Sequence, residues 1–462
     1  MASTLHHWQP GDQGPHPHVP PAVHVLYGIM CWNEGGQRGA ERLFRSKVVW
    51  APIRTIMDAR YPGYPGLQPG AAPVSRSEFW RYCDTYAIEP CIFGALVEEF
   101  EIQAAALAKS MGMFDASAGS VTHPARQNVL VGDGTVLRPR TDAVRDQLQV
   151  DMRTGIVEQK RYEPDASFFK TGDGTTVVRG TKFGFVESRL PHVNERVILG
   201  VFNVPAGKGH SEAAEALKVI DRAQDRLPES QAVAWDMAMR GTHADRMYQR
   251  GLQPIVKTAK SPGGKPRSRF IEVHTAKLVD GTEEQLSLWA MNGGLSILVV
   301  AAGEEHLVQC ERKQTYRRAN ARGGCRWYMD ATIPDDPRVP PRLRHARIPL
   351  VRLDTTADDR KTGLNRADNL RAIHEGDADW DRLYGLRPGA ESTNRWFKER
   401  LRDTRAPAIG VPRQHLHLVF GALFNNFRAW LAHGTRVGTA QPGSPPQPPP
   451  AVTAPVAPPP SG

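Results

Sequence analysis

Apolar positions change their spacing several times along the chain. Between residues 77 and 114, Leu96, Phe100, Leu107 and Met111 recur near helical spacing, so SEFWRYCDTYAIEP and IFGALVEEFEIQAAALAKSMGMF predict helices. From Asn128 the runs shorten: VLVGDGTVL, GTKFGFVESR and ERVILGVFNVP predict three strands. Ser211 then opens a helix carrying Ala214, Leu217, Ile220 and Leu227. AVAWD predicts the next strand. Thr242 and Asp245 have the spacing of a capping box for a helix closing at Gly251, and PIVK predicts one strand more. Three strands followed by helix, strand, helix, strand is the order of an α/β sheet, not of a helical bundle.

From Lys260 to about Trp380 the pattern turns β-rich and Gly-punctuated, through RFIEVHTAKLVDG, QLSLWAMNGGLSILVVA, HLVQCERKQTY, RWYMDATIP and RIPLVRLD. This predicts an inserted β domain. Helix returns at Pro388–Arg402, and a last helix carries Leu416, Phe420, Leu423, Phe427 and Leu431 on one side as core packing. Residues 1–24 are rich in Pro, His and Gly and read as a solvated tail; the uncharged, Pro-rich end reads as a second one.

Composition narrows the class. The chain has 462 residues, 59 Lys+Arg, 49 Asp+Glu and a formal net charge of +10. Its 40% hydrophobic and 23% charged content suits a folded protein and excludes wholesale disorder. No apolar run approaches the ~18 residues of a membrane span, and no apolar block marks a secretory signal near the start, so a cytoplasmic protein is expected. Five scattered cysteines without a CxxC pair read as reduced thiols. Residues 1–126 hold 10 basic and 11 acidic side chains, whereas residues 127–436 hold 49 and 38. The positive excess therefore lies in the middle and late chain, where a polyanionic partner would make contact.

Three acids stand out in that segment. Asp133 interrupts a Val-Leu-Val run between Gly132 and Gly134, where it is either a turn residue or a carboxylate needing a counter-charge. Asp236 ends the strand AVAW, at the edge where α/β sheets bind ligands, or else caps a helix. Glu391 belongs to Tyr384, Arg387, Glu391 and Lys398, which satisfy Tyr-x2-Arg-x3-Glu-x6-Lys. Chance would produce that spacing in on the order of one in several hundred chains of this length. On a helix opened by Pro388, Glu391 shares a face with Arg395, Lys398 and Arg402. Such a face is either a salt-bridged surface or a carboxylate for a divalent metal among cations that grip DNA phosphates.

On these residues the chain resembles the DDE transposases of bacterial insertion sequences, in the cut-and-paste group marked by the Tyr-Arg-Glu-Lys motif. The resemblance covers roughly residues 127–436. It implies a ribonuclease H-like α/β core interrupted by a β-rich insertion, with Asp133, Asp236 and Glu391 as catalytic, metal-binding acids. Two Mg²⁺ ions are implied, with Mn²⁺ able to substitute. The implied partners are double-stranded DNA, both terminal inverted repeats and target, and a second copy of the chain on paired ends; no membrane is involved. Nicking, hairpin formation, reopening and strand transfer are the implied steps, with Tyr384, Arg387 and Lys398 holding phosphates near the cleaved end. The expected organisation is a tail (1–24), a helical region placed for DNA-end recognition (25–126), the first part of the core (127–259), the insertion (260–380), the second part (381–436) and a tail (437–462). Localisation would be cytoplasmic, at the nucleoid when DNA-bound. A nuclease that cuts without strand transfer, and a non-cutting DNA-binding descendant of a transposase, are the alternatives.

Other basic residues flank the insertion's strands. Lys257, Lys260, Lys265, Arg267 and Arg269 form one cluster, and Arg312, Lys313, Arg317, Arg318, Arg322 and Arg326 another. Either they are solvated loops or they track a phosphate backbone, for which Lys265, Arg267, Arg269, Arg317 and Arg318 are the candidates. Trp289 and Trp327 either fill the insertion's core or stack on a flipped base. His210 and Ser211 lack the GxSxG setting of a nucleophile.

Overall fold

A computed structural model describes residues 18–170, 176–207, 210–258, 267–321 and 323–438. Lys260, Lys265 and Arg322, with nearly all of the Pro-rich end, lie outside the described residues.

The central sheet is built from β1 (Val129–Leu137), β4 (Ser167–Lys170), β5 (Val177–Arg189), β6 (Arg196–Val204), β7 (Ala232–Trp235) and β8 (Gln253–Val256), after the small exposed hairpin β2 (Leu148–Val150) and β3 (Val157–Gln159). β5 lies antiparallel to both β1 and β6. On its other side β1 runs parallel to β7, and β7 parallel to β8. The order β6-β5-β1-β7-β8, with three antiparallel strands followed by two parallel ones, is a ribonuclease H-like sheet. β7 and β8 are buried at every position because helices cover both faces, which is why AVAW and the Pro254–Val256 stretch are apolar. β2, β3 and β4 escaped the sequence reading; they are three or four residues long and largely exposed.

The N-terminal helices are α1 (Pro21–Asn33), α2 (Gln37–Arg45), α3 (Lys47–Arg60), α4 (Arg76–Tyr82) and α5 (Pro90–Ser110). The expected tail ends earlier than residue 24. Val19, Val23 and His24 are buried, with the His24 ring stacked 4.2 Å from Tyr82. Pro20 and Pro21 start this helix rather than prevent it, since Pro21 occupies a first-turn position that needs no N–H partner. α1 joins the hydrophobic core of the sheet and packs on the last helix, α12 (Val411–Val437), where Trp32 donates to the His417 carbonyl at 2.8 Å. The helical region and the central sheet therefore share one core.

α6 (Glu212–Arg226) is capped by Ser211 as expected. α7 (Thr242–Gln249) departs from expectation: Gly241 precedes it, and neither Thr242 nor Asp245 forms a capping box. Asp245 is buried and instead accepts the Thr355 N–H at 2.8 Å, tying α7 to the chain returning from the insertion.

That insertion is a separate antiparallel sheet of seven strands: β9 (Ser268–Lys277), β10 (Glu283–Met291), β11 (Gly294–Ala301), β12 (Glu304–Gln309), β13 (Glu311–Ala319), β14 (Cys325–Thr332) and β15 (Arg347–Arg352). It has its own apolar core. Trp327 is fully buried there and donates to the Tyr248 carbonyl at 2.6 Å, so of the two tryptophans this one is core. Short helices α8 (Ala357–Lys361), α9 (Arg366–Asn369) and α10 (Trp380–Tyr384) lead back to α11 (Arg387–Arg400). α11 lies against β1 and is clamped to β5 by Phe397 stacked 4.3 Å from Phe185 and by Thr393 donating to buried Glu187 at 2.5 Å.

Candidate active site

Asp133 sits within β1, paired with Phe185 of β5, so the Asp-Gly dipeptide is strand and not turn. The two flanking glycines explain how the chain packs around it. A Cβ on Gly132 would lie 2.1 Å from the Trp235 ring and 2.4 Å from the Phe185 carbonyl. One on Gly134 would meet the Glu212 carboxylate at 2.3 Å. Gly132 thus admits the buried indole and Gly134 admits an acid from the first turn of α6.

Asp236 leaves the end of β7 beside this point, its Oδ1 accepting the Ala238 N–H at 2.8 Å. One carboxylate oxygen each of Asp133, Glu212 and Asp236 lie within 4.8 Å of one another. Glu212 is held from two sides, by Lys182 Nζ at 2.8 Å and by the Trp235 indole N–H at 3.2 Å. Asn394 on α11 donates to Asp133 Oδ2 at 2.9 Å, and its own Oδ1 is buried without a partner among the described residues.

Burial, with Glu212 and Asp236 close by, pushes the Asp133 carboxyl up to about 6 against the pull of Arg387 and the Asn394 hydrogen bond. Burial likewise raises Asp236, opposed by the Ala238 N–H. Three partly buried carboxylates face one another, and Lys182 at Glu212 with Arg387 near Asp133 offsets only part of their charge. Hard oxygen donors in this arrangement, with a spare amide oxygen beside them, fit a divalent cation such as Mg²⁺.

Glu391 stands apart from that cluster. Its side chain is 51% exposed and pairs with Arg387 at 2.6 Å, while Arg387 also approaches Asp133 at 3.9 Å. Arg387 therefore lies between the two acids, with its Nε buried and, among the described residues, unpartnered. Lys398, one helical face further along, is half-buried; burial lowers its ammonium while Asp133 supports its charge. Tyr384 stacks on Trp380 at 4.6 Å, with Lys257 Nζ 5.4 Å from its ring.

The remaining expected DNA contacts are dispersed. Arg395 is 80% exposed and pairs with Glu399. α11 ends at Arg400, so Arg402 lies past the helix in a turn and not on the Glu391 face. Extended backbone at Leu401 breaks the periodicity that had placed it there. In the insertion, Arg267 approaches Asp368 at 3.7 Å, Arg269 is exposed on β9, Arg317 donates to the Gly251 carbonyl, and Arg318 lies over the Tyr328 ring. Trp289 packs edge-on against Phe270, with its indole N–H buried and unpartnered.

Glu212, Lys182 and Asn394 were not singled out from sequence. A glutamate just after an N-cap serine reads as a helix-dipole partner. Only the second glycine of Gly-Asp-Gly hints that something approaches β1 there.

Sheet order and acidic cluster together define a ribonuclease H-like fold with a DDE-type arrangement of acids, consistent with nuclease or polynucleotidyl-transferase chemistry. No protein-family model matches the chain, and no curated protein matches it in sequence.

Proposed function

We propose that this protein is a DNA transposase of the cut-and-paste insertion-sequence type, cleaving element ends and joining them to target DNA. The observation that carries the reading is the meeting of Asp133 and Asp236, at adjoining strands of a ribonuclease H-like sheet, with a helix bearing the Tyr384, Arg387, Glu391 and Lys398 motif.

Asp133 and Asp236 would hold the divalent ions together with Glu391 once it leaves Arg387, while Glu212 stands beside them in the acidic cluster. When bound, Mg²⁺ would activate the attacking oxygen and neutralise charge on the leaving 3′-oxygen in an in-line displacement at phosphorus. Asn394 fixes the Asp133 carboxylate. Lys182 and Trp235 fix Glu212. Arg387 and Lys398 present cations beside the acids, where a scissile phosphate and its neighbour need them. In the first step water forms the new P–O bond and the P–O3′ bond breaks, the 3′-oxygen leaving as a hydroxyl. In strand transfer that 3′-hydroxyl is the nucleophile, and a target 3′-oxygen leaves.

The partners on this reading are duplex DNA and a second copy of the chain, in the cytoplasm at the nucleoid. The test is incubation of purified protein with end and target duplexes in Mg²⁺, resolving nicked from joined products. Joined products are expected. Nicks without joining would leave a nuclease, and neither product from wild-type protein that binds DNA would leave a non-cutting descendant.

A further inference from the structure

Past the C-terminal end of α11 lies a cleft of about 470 Å³ between the N-terminal helices and the catalytic core. Six arginines line it: Arg38 and Arg76 from the helical region, Arg140 from the segment after β1, and Arg400, Arg402 and Arg405 after α11. Among the described residues its one acidic lining residue is Asp403, which approaches Arg402 at 3.6 Å. Arg405 is satisfied by Asp142, whereas among the described residues no carboxylate pairs with the side chains of Arg38, Arg76 or Arg140. Two further features face the same space. α2 begins there without a side-chain cap, its first residues Gln37, Arg38 and Gly39 lining the cleft. His417 lines it too, 4% exposed, with Nε2 buried and, among the described residues, unpartnered. An uncapped helix start and a sixfold arginine lining call for an anion.

The cleft is continuous with the acids along two elements. β1 continues from Asp133 through Leu137 to Arg138, whose backbone bridges to Arg405, and on to Arg140. α11 runs from Glu391 past Lys398 to Arg400. At ~1.5 Å per helical residue and ~3.3 Å per strand residue, the cleft is about 15–20 Å from the site. Successive phosphates of one DNA strand advance ~3.4 Å along the duplex axis, so that spacing is about five base pairs.

Resting on the DNA reading above, we infer that this cleft grips the phosphate backbone of duplex DNA about five base pairs from the reacting phosphate, with the N-terminal helices supplying two of its six arginines. The helical region is electrically neutral in sum, yet the fold places two of its unpaired arginines where the DNA would pass.

The test is fluorescence anisotropy of a labelled duplex of about 40 base pairs in EDTA, from about 50 to 300 mM KCl, with wild type, Arg38→Ala/Arg76→Ala and Arg38→Lys/Arg76→Lys. Both positions are exposed and outside the acidic site, so the thermal midpoint should not move. The alanine pair should weaken binding about tenfold at 150 mM salt and reduce the log–log salt slope by about 2, one unit per lost phosphate contact. The lysine pair should restore the slope. Wild-type affinity and slope in the alanine pair would overturn the inference and leave the transposase reading standing. Weaker binding with an unchanged slope would overturn it equally, since no phosphate contact was lost. A wild-type protein that binds no duplex would overturn both.

Discussion

The sheet side and the helix side of the site are built on different terms. On the sheet side, Asp133, Asp236 and Glu212 are held at fixed points by glycine-permitted packing, an indole N–H and Lys182. On the helix side, Glu391 is half-exposed and held by one i,i+4 ion pair to Arg387. Such a pair is worth about 0.3–0.5 kcal/mol. The difference teaches that the sheet acids are positioned by folding, while the helix acid is free to change partner at little cost. Arg387, set between Asp133 and Glu391, supplies some of the positive charge a metal would bring.

The comparison breaks most sharply in cleavage assays. Asp133→Ala or Asp236→Ala should lower Mg²⁺-dependent cleavage by about 10³-fold or more with duplex binding retained. On the transposase reading Glu391→Gln should fall almost as far, because the motif acid would complete the metal site once it leaves Arg387. Glu212→Gln should lose only about tenfold, its charge being already engaged by Lys182. Single-turnover cleavage rates of the four variants decide this. A larger loss in Glu212→Gln than in Glu391→Gln would make Glu212 the third ligand and Glu391 a surface residue.

Packing on the sheet side predicts the next effect. Gly132→Ala drives a methyl into the Trp235 ring and the Phe185 backbone carbonyl, and a carbonyl held in a strand cannot swing away. The variant should lose about 3 kcal/mol of stability in urea unfolding. Gly134→Ala meets only the far end of the Glu212 side chain, so it should cost less than about 1 kcal/mol while displacing that carboxylate. Equal losses at both positions would show that Glu212 is as rigidly held as backbone.

Electrostatic strain gives a smaller, pH-dependent effect. The folded Asp133 carboxyl is raised to about 6 from an ordinary 3.8. Below pH 3.8 both folded and unfolded forms are protonated and nothing is lost. As pH rises from 3.8 to 6 the unfolded chain releases its proton first, so stability falls, and above 6 the full penalty is present. Asp133→Asn removes that penalty. In EDTA at pH 7.5 it should be more stable than wild type by about 1–3 kcal/mol, converging with it by about pH 4. Saturating Mg²⁺ should stabilise wild type more than the variant. Equal urea midpoints for the two proteins in EDTA at pH 7.5 would remove the strain from the account.

How much of this was legible depended on the range of the signal. The sheet showed in the sequence because β1, β5 and β6 are long and β7 and most of β8 are apolar. Asp133 and Asp236 showed because each interrupts or ends such a run. What stayed hidden was decided across the fold. Glu212 is an ordinary first-turn acid until Gly134 places it beside Asp133. Asp245 has the spacing of a cap but is taken by the Thr355 N–H, 110 residues away. The N-terminal arginines have no pattern of their own and converge only where α2 and α4 meet the end of α11.

The faintest expected effect concerns Arg395, which helical periodicity groups with Glu391 and Lys398. In the fold Lys398 is half-buried and within the field of Asp133, whereas Arg395 is exposed and neutralised by Glu399. Lys398→Ala should therefore weaken duplex binding about tenfold at 150 mM salt and flatten the salt slope by about one unit. Arg395→Ala should change affinity less than twofold and stability by no more than about 0.5 kcal/mol. Anisotropy titrations of the two variants side by side are the check. If Arg395→Ala weakens binding as much as Lys398→Ala, DNA must reach around the outer face of α11, and the helix side of the site is wider than the sheet side that anchors it.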